Sequence, residues 1–144
     1  MFDFVPDAQQ LAQIFSNAVA PTFFLGAVAA FITLMNSRLV AVIGRIQVLN
    51  DISDEDHVRV HLKADIDRLR LRAGYLVSGI HSALRGGVCA TILLATMFIT
   101  GFFGLKHAYG AGFLFIFATA FLGLALIRFA QEAHICLSEY DEFR

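Results

Sequence analysis

Two histidines, a cysteine and a glutamate form a candidate metal site in the sequence: His81, His134, Cys136 and Glu132. The second and third apolar stretches are expected to form antiparallel helices joined near residues 107 and 108. Residues at equal depth then have numbers that sum to about 215, which places His81 opposite His134. Imidazole, thiolate and carboxylate groups bind zinc and other transition metals. The alternative is that both histidines are hydrated at a membrane interface, so we assign no metal ligand and predict no cofactor.

A second candidate site is the basic cluster beside the second apolar stretch, which consists of Arg68, Arg70, Arg72 and Arg85. Basic clusters next to a membrane span attract anionic lipid head groups. The acidic tail is the alternative partner, because the same depth rule places it opposite the first three arginines; its acids are Glu139, Asp141 and Glu142. The cluster is therefore predicted either to bind lipid head groups or to form salt bridges, and each exposed salt bridge would contribute little stability.

The apolar stretches carry few polar side chains and no charged ones. A carrier driven by ions or protons usually needs an ionisable group within the membrane, so active transport is disfavoured. Hydroxyl groups can line a passive pore, and the candidates are Thr96, Thr100 and Thr119. The alternative is that each hydroxyl bonds its own helix backbone. No phosphate-binding loop, hydrolase motif or metalloprotease motif occurs, and we predict that the protein is not an enzyme.

Three long apolar segments must position these groups. The chain has 144 residues, of which 58% are hydrophobic and 16% charged, as expected for a single membrane domain. An interfacial helix is predicted over residues 1–20, followed by a first span and its extension over residues 21–50, because Pro21 suits the first turn of a new helix. Residues 53–105 are predicted to form a polar helix that is capped by Ser53 and runs into the second span. Residues 108–144 supply the third span and a polar tail, and each span contains about 20 uncharged residues.

Apolar residues spaced three and four apart mark one face of the first two helices, which predicts an antiparallel hairpin closed at residues 50–53. On the first helix they are Met35, Leu39, Val42, Ile46 and Leu49. On the second they are Val58, Leu62, Ile66, Leu69, Ala73, Leu76, Ile80, Ala83 and Gly87. A row of small residues on the second helix is predicted to pack against another helix, either within the chain or in an oligomer. Its members are Gly79, Ala83, Gly87, Thr91 and Ala95.

The distribution of positive charge predicts the orientation of the chain. Eight of the 11 Lys and Arg residues lie between Arg38 and Arg85, and none precedes Arg38. The positive-inside rule then places the N-terminus in the periplasm, and the hairpin and the C-terminus in the cytoplasm, of a protein in the cell inner membrane. The predicted fold is all-α: a three-span transmembrane helical bundle with long helices projecting into the cytoplasm. The net charge of −1 says nothing about partners, but no basic surface suited to nucleic acid is expected beyond one helix face, so no nucleic-acid partner is predicted.

The chain resembles a bacterial membrane family known only as a domain of unknown function, number 2721. The resemblance rests on Ala20-Pro21 with Phe23-Phe24-Leu25, on Arg38-Leu39 and Arg45, on Leu69-Arg70-Leu71-Arg72, and on the ending Arg128-Phe129-Ala130-Gln131-Glu132. An acid often precedes the arginine at the end of the first helix in that family, whereas Gly44 precedes Arg45 here. The resemblance implies a three-span integral membrane protein, with no activity and no functional residues to carry over.

Together these patterns predict an integral membrane protein without enzymatic activity, which contacts membrane lipid and associates with itself as a scaffold or accessory subunit. The alternative is a homo-oligomeric channel for an ion or small solute, lined by the second or third span. Self-association follows from the small-residue row, and the channel follows from the hydroxyl groups.

Overall fold

Three long helices make up the described part of the chain. The computed structural model describes residues 8–53, 60–103 and 108–142. Helix α1 is Ala8–Asn50, a 3-10 helix is Val60–Asp65, α2 is Ile66–Phe103 and α3 is Ala108–Glu142. All three long helices are long and apolar enough to cross a membrane. The described residues contain no strand, so the predicted all-α bundle of three spans is confirmed.

Helix α1 continues through Pro21, so the predicted start of a new helix at this residue is wrong. A proline inside a helix removes one backbone donor and crowds the preceding turn. Ending the helix within an apolar segment would leave several backbone groups without partners, which costs more where water is absent. The described part of the predicted interfacial helix is therefore the first part of α1, and residues 1–7 lie outside the described residues.

The start of α2 also differs from the prediction. The predicted helix begins at Ser53, whereas the observed α-helix begins at Ile66 and is preceded by the 3-10 helix. Such 3-10 turns often lead into α-helices. Apolar spacings of three and four occur in both kinds of helix, so the sequence pattern cannot distinguish them. The acids that follow Ser53 in the predicted cap lie outside the described residues.

The predicted seam between α1 and α2 is confirmed. One buried cluster contains Met35, Val42 and Leu49 from α1 together with Ile66, Leu69 and Leu76 from α2. The remaining predicted seam residues of α1, and Leu62, Ala73 and Ile80 of the second segment, pack against this cluster. Val58 lies outside the described residues. The two helices thus form the predicted antiparallel hairpin, and Asp51 N–H donates to Gln47 C=O where α1 ends.

Small residues let α2 pack closely against both neighbours. A Cβ atom added to Gly86 would lie 3.0 Å from the Ala118 carbonyl oxygen of α3. One added to Gly87 would lie 3.4 Å from Val28 of α1. Large side chains at these positions would separate the backbones, and close approach is how helices gain packing energy in lipid. Helix α2 is therefore the central element of the bundle.

The register of α2 against α3 differs from the predicted depth rule. That rule places Glu132 opposite Ala83, but Ala83 clusters with Ala125, and Glu132 instead contacts Arg72. The rule assumes a tight turn at residues 107 and 108 and helices without stagger, whereas the small residues of α2 determine where α3 packs. His81 is consequently near the level of Ile127, about 10 Å along α3 from His134.

Candidate functional site

A buried carboxylate joins all three helices. The side chain of Glu132 in α3 has no exposed surface, and it lies between Arg38 of α1 and Arg72 of α2. Arg72 donates from Nη2 to Glu132 Oε1 at 2.9 Å and from Nε to the same oxygen at 3.2 Å. Arg38 Nη2 lies 3.2 Å from Glu132 Oε2. We call these three residues the ionic triad.

The two arginines of the triad are held in different ways. The Arg72 side chain is 12% exposed, and its orientation is fixed by the two hydrogen bonds to Glu132. The Arg38 side chain is 33% exposed and stacks over the Phe129 ring at 5.2 Å. That ring also makes an edge contact with Phe31, with 5.6 Å between ring centroids. A guanidinium over an aromatic face is stabilised by the ring quadrupole, so Phe129 positions Arg38.

The triad does not satisfy every lone pair of Glu132. Among the described residues, no donor makes a hydrogen bond of good geometry to Oε2, although Arg38 lies within ion-pair distance. A buried carboxylate is stable in its charged form only when attraction to positive charges offsets the free-energy cost of its desolvation. The structure supplies two such charges to one acid, which explains how Glu132 is accommodated without water contact.

A basic cavity lies beside the triad, between α1 and the first turns of α2. Its volume is about 390 Å³. We call it the arginine cavity, and its lining residues are Arg38, Ala41, Val42, Arg45, Asp65, Arg68, Leu69 and Arg72. Two arginines seven residues apart on α1 and two arginines four residues apart on α2 line the same cavity. Such a group of donors matches the oxygens of a phosphate or carboxylate.

The predicted basic cluster is divided by the structure. Arg68 and Arg72 line the cavity, and Arg68 also donates to Ser138 Oγ at 3.0 Å. Arg70 is exposed on the same helix and pairs with Asp67 at 3.4 Å. Arg85 is exposed and does not line the cavity. The side chains of the acidic tail lie outside the described residues, so the predicted salt bridges to that tail stay a prediction.

The candidate metal residues are not grouped in the structure. No group of three or more His, Cys, Asp or Glu residues within the described chain could hold a metal ion. Glu132 is engaged by the two arginines, while His81 and His134 are exposed. The depth rule that brought them together is wrong, as the contact between Glu132 and Arg72 establishes.

The three candidate pore hydroxyls donate to their own helices. Thr96 donates to the Ile92 carbonyl at 2.8 Å, and Thr100 donates to the Thr96 carbonyl at 2.8 Å. Thr119 donates to the Ile116 carbonyl at 2.9 Å. These bonds satisfy each hydroxyl proton within its helix, as threonines in apolar helices commonly do. If these threonines lined a pore, the lone pairs of their hydroxyl oxygens would be the groups that contact the ion or solute.

The small-residue row lies partly inside the bundle and partly on its outer surface. Gly79 packs under Met35, Ala83 is fully buried, and Gly87 contacts Val28, so this part packs within the chain. Thr91 and Ala95 are exposed on the outer surface of α2. The in-chain alternative therefore holds for the first three residues.

The family model described as "Protein of unknown function (DUF2721)" matches residues 18–141. The chain belongs to this family. No curated protein and no solved structure matches it. The matched region of this DUF2721 protein includes the whole ionic triad and the whole arginine cavity. The segments on which the sequence resemblance rests also contain Arg38, Arg72 and Glu132.

Sequence reasoning missed the triad in this DUF2721 protein. Glu132 was considered only as a candidate metal ligand, and Arg38 and Arg45 were not placed with the other arginines. The sequence does contain one signal for such a contact. Glu132 is the only acid between Asp67 and Glu139, and it begins the first turn after the apolar part of α3. A lone acid at that position needs a basic partner on a neighbouring helix.

Proposed function

We propose that this DUF2721 protein is a non-enzymatic membrane protein that associates with itself and acts as a scaffold or accessory subunit. The observation that carries this proposal is the exposed end of the small-residue row. Thr91 and Ala95 lie on the outer surface of α2, and the large exposed side chains of Val88, Ile92 and Ile99 border them. A shallow groove of this kind admits the backbone of a second helix in lipid.

Most of the apolar surface of the three candidate spans is left uncovered within the described chain. Within the most apolar window of each candidate span, 22%, 17% and 11% of the residues are buried, in chain order. Lipid covers such a surface as well as protein does, so burial alone does not drive association. Close packing at small residues is what favours a protein neighbour over lipid, and α2 offers that packing at Ala95.

The proposed orientation follows the positive-inside rule. The α1–α2 hairpin and the end of α3 would lie in the cytoplasm, and the N-terminus would lie in the periplasm, of the cell inner membrane. The arginine cavity and the ionic triad would then face the cytoplasmic leaflet.

Mass measurement of the full chain in native lipid nanodiscs tests self-association. We expect an oligomer for the wild type and a shift toward the protomer for Ala95→Phe, because a large ring fills the groove. Ile99→Phe is the matched control, since it adds a ring one turn away at a position that is already large and exposed. A wild-type protein that is a protomer in native lipid would refute the proposal.

A homo-oligomeric channel is the competing function. The described hydroxyl groups give it no specific support, because each candidate donates to its own helix. Ion flux into liposomes that contain the purified oligomer would favour a channel over a scaffold. Flux unchanged by Thr96→Val with Thr100→Val would exclude the proposed lining.

A further inference from the structure

The arginine cavity has the size and the donors of an anion site. Its volume of about 390 Å³ falls within the range of small-ligand pockets. Four arginines and one acid, Asp65, are among its lining residues. The remaining lining residues are Ala41, Val42 and Leu69, so the charged groups dominate the recognition chemistry. A planar guanidinium binds two oxygens of a phosphate at once, which a lysine cannot do.

The buried carboxylate makes part of this site rigid before any ligand arrives. Glu132 fixes Arg72 through two hydrogen bonds, and Phe129 supports Arg38. Arg45 and Arg68 line the rest of the cavity, and Arg68 is held by its hydrogen bond to Ser138 Oγ at 3.0 Å. Donors that are already oriented lose less entropy on binding, so the cavity is better suited to an anion than four independent surface arginines.

The position of the cavity along the helices identifies the source of the anion. Arg38 is the first charged residue after the uncharged residues 8–37 of α1, and it follows the buried Met35 by one turn. At 1.5 Å per residue, Arg38 lies about 5 Å and Arg45 about 15 Å beyond Met35. Lipid head groups occupy roughly 5 to 8 Å on each side of the hydrocarbon core. With the end of the uncharged stretch of α1 taken as the edge of the hydrocarbon core, the inner wall of the cavity falls at head-group depth and its outer wall falls just beyond.

From this geometry we infer that the arginine cavity binds the phosphate of an anionic phospholipid. The acyl chains of the lipid lie along the exposed apolar surface of the spans, and the head group enters between α1 and α2. Arg38 and Arg72 contact the phosphate from the membrane side. Arg45 and Arg68 contact it from the aqueous side. This site is independent of the proposed self-association.

Native mass spectrometry of the full chain in detergent tests the site, with phosphatidic acid as the probe and phosphatidylcholine as the neutral reference. Phosphatidic acid ends in a phosphate with several free oxygens, which suits more than one guanidinium. We expect one tightly retained phosphatidic acid per protomer and no retained phosphatidylcholine. Arg45→Gln and Arg68→Gln should each weaken retention about tenfold, as expected for the loss of a charge-assisted hydrogen bond.

Arg70→Gln is the matched control, because Arg70 lies on the same helix within two residues of two cavity arginines but faces away from the cavity. It should leave retention within about twofold, since an exposed charge contributes little. An equal loss in Arg70→Gln and Arg45→Gln would overturn the inference, because binding would then follow total charge. Displacement of the lipid by an equal concentration of inorganic phosphate would overturn the lipid assignment, because the site would then bind free phosphate.

Discussion

Replacing Glu132 by glutamine tests the ionic triad most directly. The substitution keeps the shape and one acceptor for Arg72, but it removes the charge that balances two guanidinium groups. Removal of one partner from a buried ion pair costs about 3 to 5 kcal/mol. The Arg38 side chain is 33% exposed and keeps part of its hydration, so we expect the free energy of unfolding to fall by about 2 to 3 kcal/mol.

The assay is reversible unfolding of the full chain in mixed micelles, followed by far-UV circular dichroism as the fraction of denaturing detergent increases. Arg70→Gln serves as the matched control. Its pair with Asp67 is exposed on one helix, so its loss should cost only about 0.3 kcal/mol. If Glu132→Gln destabilised the protein no more than Arg70→Gln, the reasoning about the triad would be refuted.

A second arm separates unbalanced charge from lost packing. The triple variant Arg38→Met, Glu132→Leu and Arg72→Met removes all three charges together and retains much of their volume. Apolar replacement of a buried ionic group is often neutral or stabilising. The triple variant should therefore be more stable than Glu132→Gln alone. A triple variant that is less stable would show that the triad itself contributes net stability.

Two further predictions concern packing and orientation. Gly86→Ala should destabilise the protein by about 1 to 3 kcal/mol, because the added Cβ would press on the Ala118 carbonyl oxygen. Gly74→Ala should instead stabilise the protein by about 0.5 to 1 kcal/mol, because the space around Gly74 is open. Unfolding in mixed micelles measures both changes, and equal effects of the two substitutions would contradict the packing. The orientation is tested by labelling single cysteines with a membrane-impermeant maleimide, in a variant whose native cysteines are replaced by serine. Asp51→Cys should react only in inverted vesicles, and Tyr109→Cys should react only in intact cells with a permeable outer membrane. The opposite labelling pattern would reverse the proposed orientation.

The sequence was sufficient to predict which residues lie together on one face of a helix. Met35, Val42 and Leu49 form a seam because spacings of three and four place them on one side of α1, whatever the rest of the chain does. The three spans were predictable for a similar reason, since an uncharged stretch long enough to cross a bilayer is a local property of the chain. Both features depend on short-range pattern alone.

The relation between helices was not predictable in the same way. The contact between Glu132 and Arg72 depends on how far α3 slides along α2, and that distance is set by close approach at Gly86. A depth rule counted from the connecting turn cannot include this stagger. The same limitation hid the arginine cavity, whose walls come from two helices and whose members are up to 34 residues apart in sequence. Pro21 was misinterpreted because its meaning depends on whether water surrounds it.

The ionic triad has a consequence for biosynthesis. Arg38 and Arg72 are translated before the ribosome has made Glu132, so the carboxylate that all three helices share arrives after both arginines. The first two spans can pair along their apolar seam while the third is still being synthesised. Helix α3 then supplies the countercharge that secures the bundle, so the α1–α2 hairpin keeps two partly buried arginines unbalanced until α3 packs against it.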